Sequence, residues 1–296
     1  MYINHNQMAT NVANTLTSHY SNLATSTQRL SSGLRVNGAS DDAAGLAIRE
    51  LMRADVAALN QGVRNANDAI SLLQTADGAL GVIDEKLIRM KELAEQAATG
   101  TYDSTQRLMI DSEYQAMASE ITRIANATDF NGIKLLDGTL SSDDHDGSDL
   151  TATGKMKIHF GTMNDSAEDY YYIQIGTCTA SALGVGSDAA DGADADARTV
   201  STQAAAQKAL VGINNAIVSK DKIRAHLGAL QNRLENTITN LTTQSENLQA
   251  AESRISDVDV ATEMTQFVRN QILTQSAVAM LSQANSMPQM AMQLIH

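Results

Sequence analysis

The side chains best suited to acid–base or metal chemistry are scattered along this chain. The six histidines form no HExxH motif and no pair at helical spacing, the arrangements that bring two imidazoles to one metal ion. Cys178 is the single cysteine, so the chain has no disulfide of its own. Because no histidine lies near it in the sequence, we interpret it as a small packed or exposed side chain, not a nucleophile. The histidines are His5, His19, His145, His159, His226 and His296.

Motifs for binding metals or phosphates fail at their defining positions. The stretch DDHDGSD (residues 143–149) resembles a calcium loop, but with Gly147 in sixth place the twelfth is Thr153, where a glutamate should supply two oxygens. There is no P-loop, no complete GxGxxG and no nucleophile elbow. We therefore predict no catalytic site, no metal, no cofactor and no enzymatic activity.

The charge of the chain excludes other classes of partner. Acidic residues outnumber basic ones 34 to 21, which gives a net charge of −13. Nucleic acids and anionic membranes need a basic face, so we expect neither as a partner. The chain contains no run of 18 apolar residues, so we expect no segment that inserts into a membrane. The first residues also lack the basic and apolar regions of a cleavable secretion signal, so an export route would have to recognise something else.

Composition favours long helices over an aromatic core. In 296 residues there are no tryptophans, three phenylalanines, seven tyrosines and one proline, Pro288. Because aromatic rings supply much of the area in compact cores, such a chain is expected to bury aliphatic side chains along extended seams. The scarcity of proline agrees with helices that continue unbroken over many turns.

The strongest pattern is a heptad repeat, which predicts a helix from about residue 42 to residue 98. Ser40, Asp41 and Asp42 offer an N-cap with negative charge at its start, and Gly100 ends it. Repeats kept over several heptads indicate helices that pack around partners. The first seam is Leu59, Ala66, Leu73, Leu80, Leu87 and Ala94, and the second is Val63 and Ile70, then Ala76, Ile83, Met90 and Ala97.

Two further helices are predicted around this rod. One carries Ile110, Tyr114, Met117, Ile121 and Ile124 on one stripe and stops before DFNG (residues 129–132), a turn signal. The other runs from about residue 202 to residue 255. Its heptad positions are Leu227, Leu234, Leu241, Leu248 and Ile255.

The segment from about residue 137 to residue 200 has a different, strand-like pattern. KMKIHFG (155–161) and YYYIQIG (170–176) alternate apolar and polar residues, which predicts a β-hairpin with one buried face. The flanking stretches are loops rich in Gly, Ser, Ala and Asp. We predict a hairpin insert in a helical bundle that spans residues 41–256.

The two chain ends resemble each other. Each predicts a helix of about 30 residues with a stripe too narrow to support it alone, because helices depend mostly on packing. We therefore expect residues 1–40 and 257–296 to pair, with residues 31–40 as a flexible joint. The stripe residues are Val12, Leu16, Leu23, Leu30, Met264, Phe267, Val268, Ile272 and Leu281.

Long strings in this sequence resemble bacterial flagellin, the protein of the flagellar filament. They include INHNQMA (3–9), RLSSGLRVNGASDDAAGLAI (29–48), RNANDAISLLQTADGAL (64–80), DFNG (129–132), AESRISDVDVATE (251–263) and QILTQSAVAMLSQANSMPQ (271–289). The resemblance implies a mainly α fold: a coiled-coil, helical-bundle rod with a small β-hairpin region, of a minimal type with only the two inner domains. It also implies that the terminal helices pair as a coiled coil in the filament core.

The resemblance further implies a function and partners. The subunit would be exported unfolded by the flagellar type III route and would self-assemble into an extracellular helical homopolymer for motility. Its partners would be itself, the hook-associated and filament-cap proteins, and an export chaperone that binds the C-terminal helix. Toll-like receptor 5 binds many flagellins through a motif similar to IRMKELAEQ (88–96). By this resemblance, the contact positions of the family correspond to Arg89 and Leu93 here, and to Glu113 on the next helix.

Three alternatives stay open from the sequence. A hook–filament junction protein shares its terminal helices with flagellin. A flagellin with a catalytic insert would need site residues that the short insert lacks. A secreted coiled-coil effector would not need matching ends, and it would stay monomeric when seeded.

Overall fold

The computed structural model describes residues 6–146, 153–166, 168–187 and 198–295. In these ranges the helices are α1 (Gln7–Ser32), α2 (Ala43–Ala98), α3 (Ser104–Ala127), α4 (Ala180–Leu183), α5 (Gln203–Ser256) and α6 (Val260–Ile295). The strands are β1 (Asp129–Phe130), β2 (Ile133–Lys134), β3 (His145–Asp146), β4 (Thr153–Gly154), β5 (Met156–His159) and β6 (Tyr170–Ile173). They form three antiparallel pairs, β1–β2, β3–β4 and β5–β6. The predicted mainly α fold with small hairpins is confirmed.

The chain divides into two compact units. We call residues 57–244 the central unit, and residues 1–56 with 245–296 the terminal unit. The sequence-based boundaries near residues 40 and 257 stay a prediction.

Helix α2 begins where the acidic pair predicted its start. The Gly45 amide donates to Asp42 Oδ1 at 2.9 Å, so Asp42 satisfies a backbone group that the first turn leaves unpaired. Asp41 has a different role, because its Oδ2 accepts from the amides of Asn37 and Gly38 and holds the preceding loop.

Helices α3 and α5 both run antiparallel to α2. Arg89 on α2 pairs with Glu113 on α3, and Arg107 Nε donates to the Ala97 carbonyl at 3.0 Å. Toward α5, Lys220 Nζ lies 2.5 Å from Asp84 Oδ1, and Arg224 Nε lies 2.7 Å from Asp77 Oδ1. One apolar cluster joins the buried faces of these three helices. The central unit is therefore built around the α2 heptad seam.

The insert packs against this bundle and contains the predicted β-hairpin. After α3, Asn131 and Gly132 both have positive φ, 53° and 81°, and form the tight turn between β1 and β2. In the β5–β6 hairpin, Ile158 pairs with Tyr171. Ile173 and the following Ile175 are buried. The acidic stretch DDHDGSD (143–149) and the later loop rich in Gly, Ser, Ala and Asp lie partly outside the described residues.

The terminal unit contains α1 and α6 as an antiparallel pair. The Asn6 side-chain amide near the start of α1 donates to the Ala284 carbonyl at 2.8 Å, whereas Arg29 near its end lies 3.8 Å from Glu263. The two ends of the chain thus pack against each other along their length.

The segment after α1 makes more contacts than its composition indicates. Gly33 closes α1 with φ of 74°, and Leu34 forms a bridge with Asp257. The Arg35 amide donates to the Ser256 carbonyl at 2.6 Å, and Arg49 Nη1 donates to the Val36 carbonyl at 2.8 Å. Hydrogen bonds therefore hold residues 33–36, a segment that we expected to act as a flexible joint.

Candidate assembly and recognition surfaces

Within the described ranges, reactive side chains do not converge. No group of three or more His, Cys, Asp or Glu side chains there is arranged to hold a metal ion. His145 Nδ1 lies 2.7 Å from the Lys155 carbonyl, and its ring stands 5.3 Å from that of Tyr172, so its contacts belong to the packing of the insert. His5 and His296 lie outside the described residues. No described helix has the length and apolarity that crossing a membrane requires.

Cys178 is a buried thiol with no exposed surface. Burial raises its pKa to about 12, and the nearby Lys220 ammonium offsets only part of that effect. The thiolate is the nucleophilic form, and at neutral pH it is almost absent at such a pKa. Cys178 therefore packs as a small apolar side chain.

The residues assigned to the rod seam differ in burial along the chain. Those in the central unit are buried, whereas Leu248 and Ile255, at the end of α5 in the terminal unit, are half-buried. That all of them form one seam stays a prediction. The buried members are Leu59, Leu73, Leu80, Leu87, Leu227, Leu234 and Leu241.

The residues proposed for core-helix assembly fall into two groups. Six are half-buried in the terminal unit. Three others, Met264, Val268 and Ile272, follow one another every four residues on α6 and stay 45%, 43% and 57% exposed. We call these three the α6 stripe. Exposed apolar surface of this kind is typical of a contact with another protein. The half-buried residues are Val12, Leu16, Leu23, Leu30, Phe267 and Leu281.

The terminal unit buries little apolar material of its own. Among the buried apolar side chains of the described residues, only Val36 and Ala284 lie in it. Its other buried side chains are polar or charged, Ser26 and Glu263 among them. In a single copy, the two terminal helices therefore lack the core that the central unit has.

The receptor-contact positions do not lie on one surface. Arg89 Nε and Nη2 donate to Glu113 Oε1 at 3.0 and 2.8 Å, and Arg89 Nη1 donates to Glu92. These carboxylates raise the pKa of the exposed Arg89 guanidinium. Leu93, in contrast, is only 1% exposed and belongs to the apolar cluster. The Arg89–Glu113 pair is therefore exposed at the surface, whereas Leu93 packs in the interior.

Sequence reasoning missed the buried lysine of the central unit. Lys220 is 2% exposed, and its ammonium lies between Asp84 and Asp221, at 2.5 and 2.7 Å. Burial opposes its charge, but the two carboxylates outweigh that effect and raise its pKa. Asp84 and Asp77 lie seven residues apart on α2, and both form ion pairs with α5. Their spacing was the only signal in the sequence that one neighbouring helix could pair with both carboxylates.

Comparisons with known proteins agree on one family. Residues 3–141 match the family described as the bacterial flagellin N-terminal helical region, and residues 210–295 match the bacterial flagellin C-terminal helical region. The chain is 43% identical over 311 residues to a flagellin of Bacillus subtilis (strain 168) and 40% identical over 295 residues to Flagellin FlaB2 of Treponema pallidum (strain Nichols). Both alignments cover 100% of each chain. A crystal structure of Bacillus cereus flagellin aligns with 64% of this chain and 94% of its own, at 29% identity and a TM-score of 0.46.

Proposed function

Because this chain belongs to the bacterial flagellin family, we propose that it polymerises into the flagellar filament through its terminal helices α1 and α6. Flagellins are structural subunits, not enzymes, and they assemble as homopolymers into a filament that lies outside the cell and serves motility. Full-length relatives that carry the name flagellin favour the filament over a hook–filament junction role.

In a single copy, the terminal unit has almost no buried apolar core. This observation supports assembly through the terminal helices. Helices α1 and α6 have 26 and 36 residues, yet Ala284 is their only buried apolar residue among those whose side chains the structure describes. The α6 stripe is exposed, and covering each of its side chains stabilises a contact by about 1 kcal/mol or more. Neighbouring copies supply that cover. Assembly then stabilises terminal helices that are only marginally stable in a single copy.

The single cysteine and the exposed face of α6 suit export of the chain in an unfolded state. Cys178 has no second cysteine with which to form a disulfide that would block passage through a narrow channel. We propose that an export chaperone covers α6 before assembly, because that helix exposes the α6 stripe. The hook-associated and filament-cap proteins meet the same helices at the two ends of the polymer.

Electron microscopy of seeded or salted-out protein tests this function. We expect long filaments from the full chain and none from a version that lacks residues 1–30 and 260–296. A finer variant combines Val268→Ser with Ile272→Ser, which we expect to raise the critical concentration about tenfold or more. Its matched control is Val211→Ser with Val218→Ser, two exposed valines of the central unit, 62% and 52% exposed. Filaments from the truncated chain, or none from the full chain, would contradict the proposal.

Recognition by Toll-like receptor 5 is a second proposal, supported by the exposed Arg89–Glu113 pair. We expect Arg89→Glu to weaken a reporter-cell response to monomer by about tenfold, since arginines often dominate binding energy. Arg123→Glu is the matched control, because Arg123 also forms an exposed ion pair, with Glu120 at 2.7 Å. The absence of any response to wild-type monomer would overturn this proposal and leave the filament function intact.

A further inference from the structure

A polar groove runs between α1 and α6 in the terminal unit. Its volume is about 520 Å³, and its lining includes His19, Ser26 and Arg29 from α1 and Glu263 and Arg269 from α6. Glu263 is only 5% exposed, unusually low for a carboxylate. Its position in the first turn of α6 offsets part of the cost of burial, because the helix dipole favours negative charge there.

Three residues that line this groove each have a buried polar side-chain atom that lacks a hydrogen-bond partner among the described residues. These atoms are His19 Nδ1, Arg29 Nε and Glu263 Oε1. The nearest ionic contact, between Arg29 Nη1 and Glu263 Oε2, is long at 3.8 Å. A buried donor or acceptor without a partner costs about 1–3 kcal/mol, and more when it is charged. Three such atoms in one groove point to a group that a single copy does not supply.

The chemistry of these atoms restricts what can enter. An incoming carboxylate would pair with Arg29 and Arg269 but would meet Glu263, whereas an incoming ammonium would pair with Glu263 but would meet both arginines. A neutral side chain that both donates and accepts avoids both conflicts. An amide suits all three unpartnered atoms, because it has two hydrogens to donate and a carbonyl oxygen that accepts, whereas a hydroxyl has only one hydrogen to donate.

The composition of the terminal helices is consistent with an amide as the incoming group. Arg29, Glu263 and Arg269 are the only Asp, Glu, Lys or Arg residues in α1 and α6, and all three line this groove. A neighbouring copy that packs with its own α1 or α6 therefore has no other charged side chain to offer. It does have amides, five in α1 and eight in α6.

We propose that, in the filament, this groove receives a side-chain amide from a terminal helix of a second copy. The side chains of His19, Arg29 and Glu263 turn to face it, and the amide donates to Glu263 Oε1 and His19 Nδ1 and accepts from Arg29 Nε. The inference rests on the proposed function, since it requires that terminal helices of neighbouring copies meet.

Such a contact would fix the axial register between copies. Apolar faces such as the α6 stripe tolerate sliding, because any apolar side chain covers another and methionine adapts to irregular gaps. A buried polar partner tolerates only the register in which its hydrogen bonds form, as a single buried Asn does in coiled coils.

Cryo-electron microscopy of wild-type filaments tests the inference directly. We expect one Asn or Gln side chain of another copy within hydrogen-bond distance of both Arg29 Nε and Glu263 Oε1. Water alone in the groove, a charged, apolar or hydroxyl side chain there, or an amide of the same copy such as Asn22 or Gln266 would overturn it. Absence of filaments would instead contradict the proposed function.

Two variants separate the role in assembly from a role within one copy. We expect Arg29→Ala and Glu263→Ala each to raise the critical concentration about tenfold or more, since each removes a hydrogen bond to a charged group. The matched controls, Arg254→Ala and Glu246→Ala, change exposed residues of the same unit and should stay within about twofold of wild type.

The helical content of each monomer, measured by circular dichroism, completes the test. We expect both groove variants to keep the monomer helicity of wild type. If a variant loses monomer helicity in proportion to its loss of assembly, the groove acts within one copy and the inference is wrong.

Discussion

At the scale of single residues, the environment of Cys178 determines what its thiol can do. The side chain is fully buried, its backbone amide donates to the Leu136 carbonyl at 3.0 Å, and burial raises its pKa to about 12 from an ordinary 9.0. We therefore expect native protein at pH 8 to react with a thiol reagent such as dithionitrobenzoate at least about 100-fold more slowly than protein in urea. Equal rates in the two conditions would show that the thiol is accessible.

The same pKa shift gives a pH dependence with a definite sign. Below pH 9 the thiol is protonated in both folded and unfolded chains, so the shift has no effect on stability there. Above pH 9 the unfolded chain loses its proton first, and the contribution to the free energy of unfolding falls until about pH 12. We expect Cys178→Ala to remove this part of the alkaline loss, as measured by urea unfolding between pH 8 and pH 11. A wild-type profile that matches the variant would contradict the assignment.

Leu93 shows where residue-scale prediction from the sequence stopped. The heptad positions on either side of it, Met90 and Ala94, were predicted to pack, and both are buried. Leu93 lies between them in the sequence and was assigned to a receptor surface through the family resemblance alone. It is buried as well, because α2 packs against both α3 and α5 and so buries a wider stripe than a two-helix seam. The sequence does not reveal how many helices share that face.

At the scale of elements, the contact between α2 and the insert depends on a glycine. The Asn65 side-chain amide donates to the His159 carbonyl at 2.8 Å, and a Cβ placed on Gly62 would lie 2.1 Å from the Phe160 carbonyl oxygen. We expect Gly62→Ala to lower the free energy of unfolding by about 1–3 kcal/mol, because either the helix or the strand end must move. Chemical denaturation of the two proteins measures this difference.

Gly81 provides the matched control for that change. It lies in the same helix, and a Cβ placed there meets nothing within 4 Å. Gly81→Ala should therefore raise the free energy of unfolding by about 0.5–1 kcal/mol, the usual gain in a helix interior. If both substitutions stabilise the protein, the close approach of the insert at Gly62 is not part of the native structure.

Elements could be predicted from the sequence where local pattern determines them. The heptads gave α2 and α5 within about two residues of their ends, and DFNG gave the turn with positive φ at Asn131 and Gly132. The pairing of Leu34 with Asp257 could not be predicted, because it joins residues 223 positions apart with no shared pattern. The groove between α1 and α6 was missed for a similar reason: its three unpartnered atoms become visible only once the two helices are in contact.

At the scale of the whole molecule, the apolar interior is divided unevenly. The central unit contains the buried heptad positions and the insert, whereas the terminal unit contributes only Val36 and Ala284 to the buried apolar side chains of the described residues. Local stability follows buried apolar contacts, so the terminal helices should open at a much lower free energy than the seam. A subunit whose apolar core lies in the central unit can enter a polymer with that unit folded while its terminal helices still rearrange.

Hydrogen–deuterium exchange tests that division in monomer and filament. In the monomer, we expect amides of α1 and α6 to exchange at least about 100-fold faster than those of α2 and α5 within the central unit, because opening α1 and α6 exposes almost no buried apolar surface. On the proposal that neighbouring copies cover the α6 stripe in the filament, the same terminal amides should become protected there while those of the central unit change little. Within the central unit, half-buried Gly81 and buried Leu80 share one helix and serve as the internal reference for both states. Terminal amides as slow in the monomer as in the filament would show that the pair orders without assembly.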